Sequence, residues 1–184
     1  MKKSITYIAI FALSIIAFGF TTKSNNDLKS KLKNLSGTYT DPAPYNYGKA
    51  WGKRVFTFDK GKWTLDFTLS LDPDMKMQVF KFRTFGTYKI QEKSTNVDDT
   101  YEAVFYEEKK FLTLKTTDEN LIKAFGFAPC NLTVDVEQDV SEKGCSGWKS
   151  VKDCSGDYDL LSLDKEGKLY FGNRPQDNDM CSPE

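Results

Sequence analysis

Histidine is absent from this chain of 184 residues. That absence excludes Ser-His-Asp and Cys-His catalysis, His-ligated zinc and proton transfer by imidazole. Arginine is scarce, three against 23 lysines, and basic and acidic residues are equal at 26 each. Without Lys2 and Lys3 the balance is 24 against 26. There is no positive surplus to displace counterions from a polyanion, so nucleic acid is not expected as a partner. No two cysteines form a C-x-x-C pair, which argues against a four-cysteine zinc site. A Gly-rich phosphate loop and a Gly-x-Ser-x-Gly elbow are also missing. Asp98-Asp99 and Asp177-Asn178-Asp179 lack the ligand spacing of a calcium loop and read as solvated turns. No carboxylate pair stands out for glycosidase chemistry. The chain is therefore read as a non-enzyme with no catalytic residues, no metal and no cofactor.

The opening residues carry an address. Met1-Lys2-Lys3 is a basic start, residues 5–20 are apolar, and Ala17-Phe18-Gly19 offers small residues to a signal peptidase. The apolar run is about 16 residues, short of the roughly 20 that a spanning helix needs. No later apolar stretch is long enough to span, and no cysteine near the cleavage point allows a lipoprotein anchor. We expect a signal peptide over 1–19, a flexible segment over 20–34 and one domain over 35–184. The protein is then exported, periplasmic or extracellular, with no stable membrane anchor. Cys130, Cys145, Cys154 and Cys181 are even in number and lie in the last third of the chain. In an oxidising compartment they read as two disulfides, with three possible connectivities. Asn34-Leu35-Ser36 and Asn131-Leu132-Thr133 match the N-glycosylation pattern, which chance often produces.

What the chain has in plenty is aromatic residues arranged as strands: 14 Phe, 9 Tyr and 3 Trp. Over 62–71, Trp63, Leu65, Phe67, Leu69 and Leu71 alternate with polar residues, a period of two that marks a half-buried strand. Residues 54–58 alternate as well, and Asp59-Lys60-Gly61 supplies the turn of a hairpin. Asp72-Pro73 ends the second strand. The next strand places Phe80, Phe82, Thr84, Gly86, Tyr88 and Ile90 on one face, with Gly86 predicting a bulge or bend. Residues 101–106 and 111–116 flank the charged run Glu107-Glu108-Lys109-Lys110, read as the turn of a second hairpin. Thr117-Asp118-Glu119-Asn120 has the composition of a helix start, with a short helix completed by 121–125. Leu132, Val134 and Val136 alternate, and a last hairpin runs from 158–160 through Asp164-Lys165-Glu166-Gly167 to 169–171. The fold class is therefore all-β: an antiparallel curled sheet, a barrel or half-barrel of lipocalin-like form, with about nine strands and one short helix. Curling removes the long edges that an open sheet would expose. A β-sandwich is the alternative, and the aromatic inward faces favour a barrel.

Several of these segments, in this order, resemble a known domain. They are Arg54-x-Phe56-x-Phe58, Asp72-Pro73, Gly86-x-Tyr88, the stretch from Gln138 to Cys145, Tyr158-Asp159-Leu160 and the stretch from Leu169 to Pro175. The ordered set resembles the domain of the adenomatosis polyposis coli down-regulated family over residues 35–184. The resemblance implies a β-barrel or half-barrel with an apolar pocket suited to a lipid or acyl chain. Animal members carry two such domains and a membrane anchor, and inhibit Wnt signalling. This chain departs from that pattern, with one domain, and with Tyr39 and Met75 near two positions where animal domains have cysteine. Their remaining two cysteines resemble Cys130 and Cys145, which leaves Cys154 with Cys181. The last hairpin agrees with that second pair, because its fold-back brings Cys154 toward the tail.

The residues that the barrel and the resemblance together mark as ligand-binding are Arg54, Phe56, Trp63, Phe67, Phe80, Phe82 and Tyr88. Arg54 shares a face with Phe56 and Phe58, and a guanidinium there needs a partner. That partner is either a ligand headgroup held bidentately or an internal carboxylate or backbone carbonyl. Trp148 lies in a loop, as a rim contact or a plug. Two functions follow from these residues. One is a module that takes a lipid or acyl chain, free or on a lipid-modified protein. The other is a protein-interaction scaffold with a solid core that binds through loops such as 143–152.

Overall fold

A computed structural model describes residues 23–175, 177 and 179–183. The expected signal peptide lies outside these described residues. In chain order the elements are α1 (Lys23–Lys33), β1 (Gly37–Thr40), β2 (Tyr45–Asn46), β3 (Trp51–Asp59), β4 (Lys62–Ser70), β5 (Gln78–Lys93) and β6 (Tyr101–Leu114). Then come α2 (Glu119–Ala124), a 3₁₀ turn (Ala128–Cys130), β7 (Glu137–Asp139), β8 (Gly156–Leu163) and β9 (Leu169–Phe171). The described strands form one antiparallel sheet in the order β1-β3-β4-β5-β6-β8-β9, with β2 paired to β3 and β7 to β6. The sheet curls until it nearly closes as a barrel. Phe56 on β3 stacks on Phe171 on β9 with ring centroids 4.3 Å apart.

The β3–β4 hairpin forms as its alternation predicts. Lys60 and Gly61 both have positive φ, 48° and 81°, and Asp59 pairs with Lys62. Two such residues make the tight turn whose twist matches that of the flanking strands. Gly86 is the site of a bulge: Phe85 pairs with Lys109 but Gly86 pairs with Glu107, so Glu108 has no counterpart. A Cβ at Gly86 would lie 2.0 Å from the Tyr106 carbonyl oxygen, which excludes any other residue there. The Trp63 indole N–H donates to the Thr87 and Tyr106 carbonyls beside it, at 3.1 and 3.2 Å.

Three expectations are corrected. First, Glu107 to Lys110 is not a turn. β6 runs unbroken through it, and the bulge shifts the alternation so that Tyr101, Ala103, Phe105 and Glu107, then Lys110, Leu112 and Leu114, are buried. Second, residues 132–136 do not form a strand. Asn131 and Asp135 both have positive φ, 52° and 61°, and only Val134 bridges to Leu114. Third, the segment 20–34, read as flexible, carries α1. Leu32 is buried and Leu35, just past the helix, is buried with it. The expected short helix is α2, capped by Asp118, whose Oδ1 accepts from the Asn120 and Leu121 amides.

The barrel holds two apolar clusters, one toward each end. Toward the α1 end lie Phe56, Phe58, Trp63, Tyr88, Ile90 and Phe105, joined by Leu32 and Leu35. Toward the other end lie Leu69, Phe80, Phe82, Leu112, Leu114 and Phe127. Burying each such side chain contributes about 1.5–3 kcal/mol. Two disulfides, Cys130–Cys145 and Cys154–Cys181, fix the segments after β6.

Candidate functional site

The seven residues expected to line one pocket are divided between the two clusters. Phe56, Trp63 and Tyr88 belong to the α1 end, and Phe80 and Phe82 to the opposite end. Phe67 is half-buried and packs against both. Their neighbours are other rings. Phe56 lies on Phe171, Trp63 meets Phe105 at 4.9 Å, Phe80 meets Phe127 at 5.2 Å, and Phe82 stacks on Trp148 at 5.0 Å. Spacings of 4.5–7 Å are those of packed aromatic pairs.

Arg54 has an internal partner. Its Nε and Nη2 donate to Asp41 Oδ2 and Oδ1 at 3.2 and 2.9 Å, and its own amide donates to Asp41 Oδ2 at 2.8 Å. Its guanidinium also lies over the Phe171 ring, 5.5 Å from the centroid. An internal carboxylate, one of the partners open to Arg54, thus meets its guanidinium. Sequence spacing gave no signal for it, because Asp41 sits beyond β1.

Between the clusters the inward face turns polar. Lys110 Nζ lies 2.5 Å from Glu107 Oε2, with both side chains more than nine-tenths buried. The Thr84 hydroxyl reaches Glu107 Oε1 at 3.0 Å and the Lys109 carbonyl at 2.9 Å. Lys110 also donates to the Lys149 and Cys154 carbonyls. Burial pushes the Glu107 carboxyl above its ordinary range, as does the nearby charge of Asp157, while Lys110 and Thr84 oppose the shift. Asp157 is raised too, by burial against the pull of Arg174 and Lys110. Asp159, paired in register with Ala103, is pushed up to about 6 by burial, although the Leu160 and Gly172 amides donate to it.

One trio in this layer has the spacing of metal ligands: Glu107, Cys154 and Asp157. Its chemistry does not fit a cation. The Cys154 sulfur is bonded to Cys181 and so is no thiolate, and the Glu107 charge is already met by Lys110.

Each end of the barrel is stopped by a different segment. At one end Phe125, Phe127 and Trp148 pack on Phe80, and Trp148 is the loop plug that its sequence position left open. The Cys130–Cys145 bond holds that segment in place. At the other end α1 and the residues after it lay Leu28, Leu32 and Leu35 against the aromatic cluster. The Tyr88 hydroxyl donates to the Leu32 carbonyl at 2.9 Å and accepts from the Leu35 amide at 3.1 Å. Lys29 adds an ion pair to Glu92 at 3.3 Å and lies over Tyr101. Sequence reasoning missed this stopper, although Leu28, Leu32 and Leu35 follow a helical i, i+4, i+7 spacing.

Two hollows open elsewhere. A groove of about 850 Å³ runs along the disulfide loop, with Asn131, Gln138, Lys143, Trp148 and Lys149 in its walls. A smaller hollow of about 140 Å³ lies under the C-terminal tail, between Glu102, Tyr158 and Met180. None of the seven expected residues lines either one. The two disulfides fit an oxidising, exported environment, and no described helix is long and apolar enough to cross a membrane. No protein-family model matches the chain, and no curated protein matches it.

Proposed function

We propose that the protein is an exported, non-enzymatic binding module, periplasmic or extracellular, of the adenomatosis polyposis coli down-regulated type. Its ligand in this reading is an apolar chain such as a fatty acyl group, free or attached to a protein, taken into the α1 end of the barrel. One observation carries the reading. The inward face there is rich in rings, with Phe56, Phe58, Trp63, Tyr88, Phe105 and Phe171 among aliphatic residues such as Leu65, Ile90 and Leu161, and α1 packs over it. Small apolar ligands are bound in such ring-lined interiors of curled sheets. Of the seven expected residues, Phe56, Trp63 and Tyr88 then meet the chain, while Phe80 and Phe82 support the opposite end and Arg54 braces the seam through Asp41. The Wnt role of animal members is not carried over.

A second reading is supported by the groove beside Trp148. In it the barrel is a scaffold, and the loop from 143 to 152 makes contacts with a protein. Mass spectrometry of a lipid extract from the purified exported protein separates the two. An acyl-bearing molecule in stoichiometric amount supports the first reading. An empty protein that also rejects fatty-acid probes supports the second.

A further inference from the structure

We infer that α1 is a built-in occupant of the aromatic chamber, which leaves its place when an apolar chain binds. This rests on the acyl-chain reading above and names what must move for it to operate. As packed, the chamber's rings lie against one another, and among the described residues the apolar groups at its mouth that do not belong to the sheet are Leu28, Leu32 and Leu35. Three branched alkyl groups in a row offer the rings the same surface as a long alkyl chain. The stripe therefore stands in for such a ligand and competes with it.

The attachment of α1 is that of a movable part. The sheet is held by its own ladders, so withdrawing the helix breaks no strand pairing. Only Ser36 separates Leu35 from Gly37, the first residue of edge strand β1, which has φ of 99° and no atom within 4 Å of where a Cβ would be. The chain therefore leaves the sheet edge through Ser36 and a glycine whose backbone angles few other residues adopt, and a pivot at that pair leaves the rest of β1 in place. The latch is Tyr88. Its single hydroxyl bridges the Leu32 carbonyl and the Leu35 amide, at the junction between helix and hinge. Another polar tie among the described residues, Lys29 to Glu92, is largely solvent-exposed on the Glu92 side and correspondingly weak.

A tethered competitor lowers the apparent affinity for the external ligand by the fraction of time that the site is open. Loosening the tether therefore tightens binding. The test uses the full chain, palmitate as the probe, titration calorimetry for affinity and hydrogen exchange for the position of α1. Tyr88→Phe removes the latch and is expected to tighten palmitate binding about five- to tenfold, the loss of one or two net hydrogen bonds. Leu32→Ser weakens the plug from the other side and is expected to act in the same direction. Saturating palmitate is expected to abolish protection of the amides at 28–35 while leaving those of β4 and β5 protected. Binding with unchanged affinity in both variants, and with the 28–35 amides still protected, overturns the displaced-helix inference and leaves the acyl-chain reading standing. No binding in the wild type or in either variant overturns both.

Discussion

Glu107 and Lys110 form an ion pair inside the barrel, 2.5 Å apart, on a strand whose polarity alone reads as an exposed turn. The Gly86 bulge puts both on the inward face by inserting Glu108 between the two alternations. Breaking such a pair leaves a charge stranded without water, which costs about 3–5 kcal/mol. Lys110→Met alone is therefore expected to lower the unfolding free energy by about that much, and Glu107→Gln combined with it to recover most of the loss. Urea unfolding of the single and double variants measures the coupling. Two additive losses would show that the pair is not a unit.

Asp159 makes stability depend on pH in the opposite sense to a salt-bridged carboxylate. Its folded pKa of about 6 lies above the ordinary 3.8, so the native state binds the proton more tightly than the unfolded chain. This contribution is fully present below about pH 4 and is lost as pH rises through 6. Asp159→Asn retains an oxygen to accept from the Leu160 and Gly172 amides. The variant is expected to be more stable than wild type at pH 7.5 by up to about 3 kcal/mol, and equal to it near pH 4. Thermal or urea unfolding at the two pH values checks the sign.

Gly86 is required by contact with backbone, not by its own torsion. A methyl group there meets the Tyr106 carbonyl oxygen, which is fixed in the ladder and also accepts from Trp63. Gly86→Ala is expected to cost about 3 kcal/mol, at the upper end of overpacking effects. Gly167→Ala, in open space at φ of 82°, should cost about 1 kcal/mol. Equal losses at the two positions would contradict the steric account.

The two disulfides close spans of 15 and 27 residues. Chain entropy assigns each roughly 3 kcal/mol, slightly more to the longer. Replacing Cys154 and Cys181 together with serine is expected to lower the urea midpoint and to leave the Cys130–Cys145 peptide intact on a non-reducing map. Recovery of Cys145 linked to Cys154 in the wild type would refute the pairing.

The legible parts of this fold were those where local pattern and tertiary demand agree. β3 and β4 alternate cleanly and are joined by Lys60-Gly61, so their pairing follows from local rules alone. Gly86 announced its bulge because nothing but close backbone approach explains a glycine there. The unbroken run of β6 was hidden because Glu107 and Lys110 look like surface residues until their buried partners, Thr84 and each other, are seen. Alternation at 132–136 misled because Asn131 and Asp135 take left-handed angles that no strand tolerates. The helix α1 was obscured by lysines at 23, 29, 31 and 33, which conceal three leucines at helical spacing. Of the site, the aromatic identities could be read in advance. Their division between two clusters could not, since it depends on which strand ends share which end of the barrel.

The central claim is that an apolar chain reaches the rings around Trp63, and a nitroxide-labelled stearate reports on it directly, because the spin label quenches tryptophan emission only at close range. Saturable quenching that largely disappears in Trp63→Phe is the result expected. Absence of quenching, or quenching that persists in Trp63→Phe and so arises from Trp51 or Trp148, would contradict the claim.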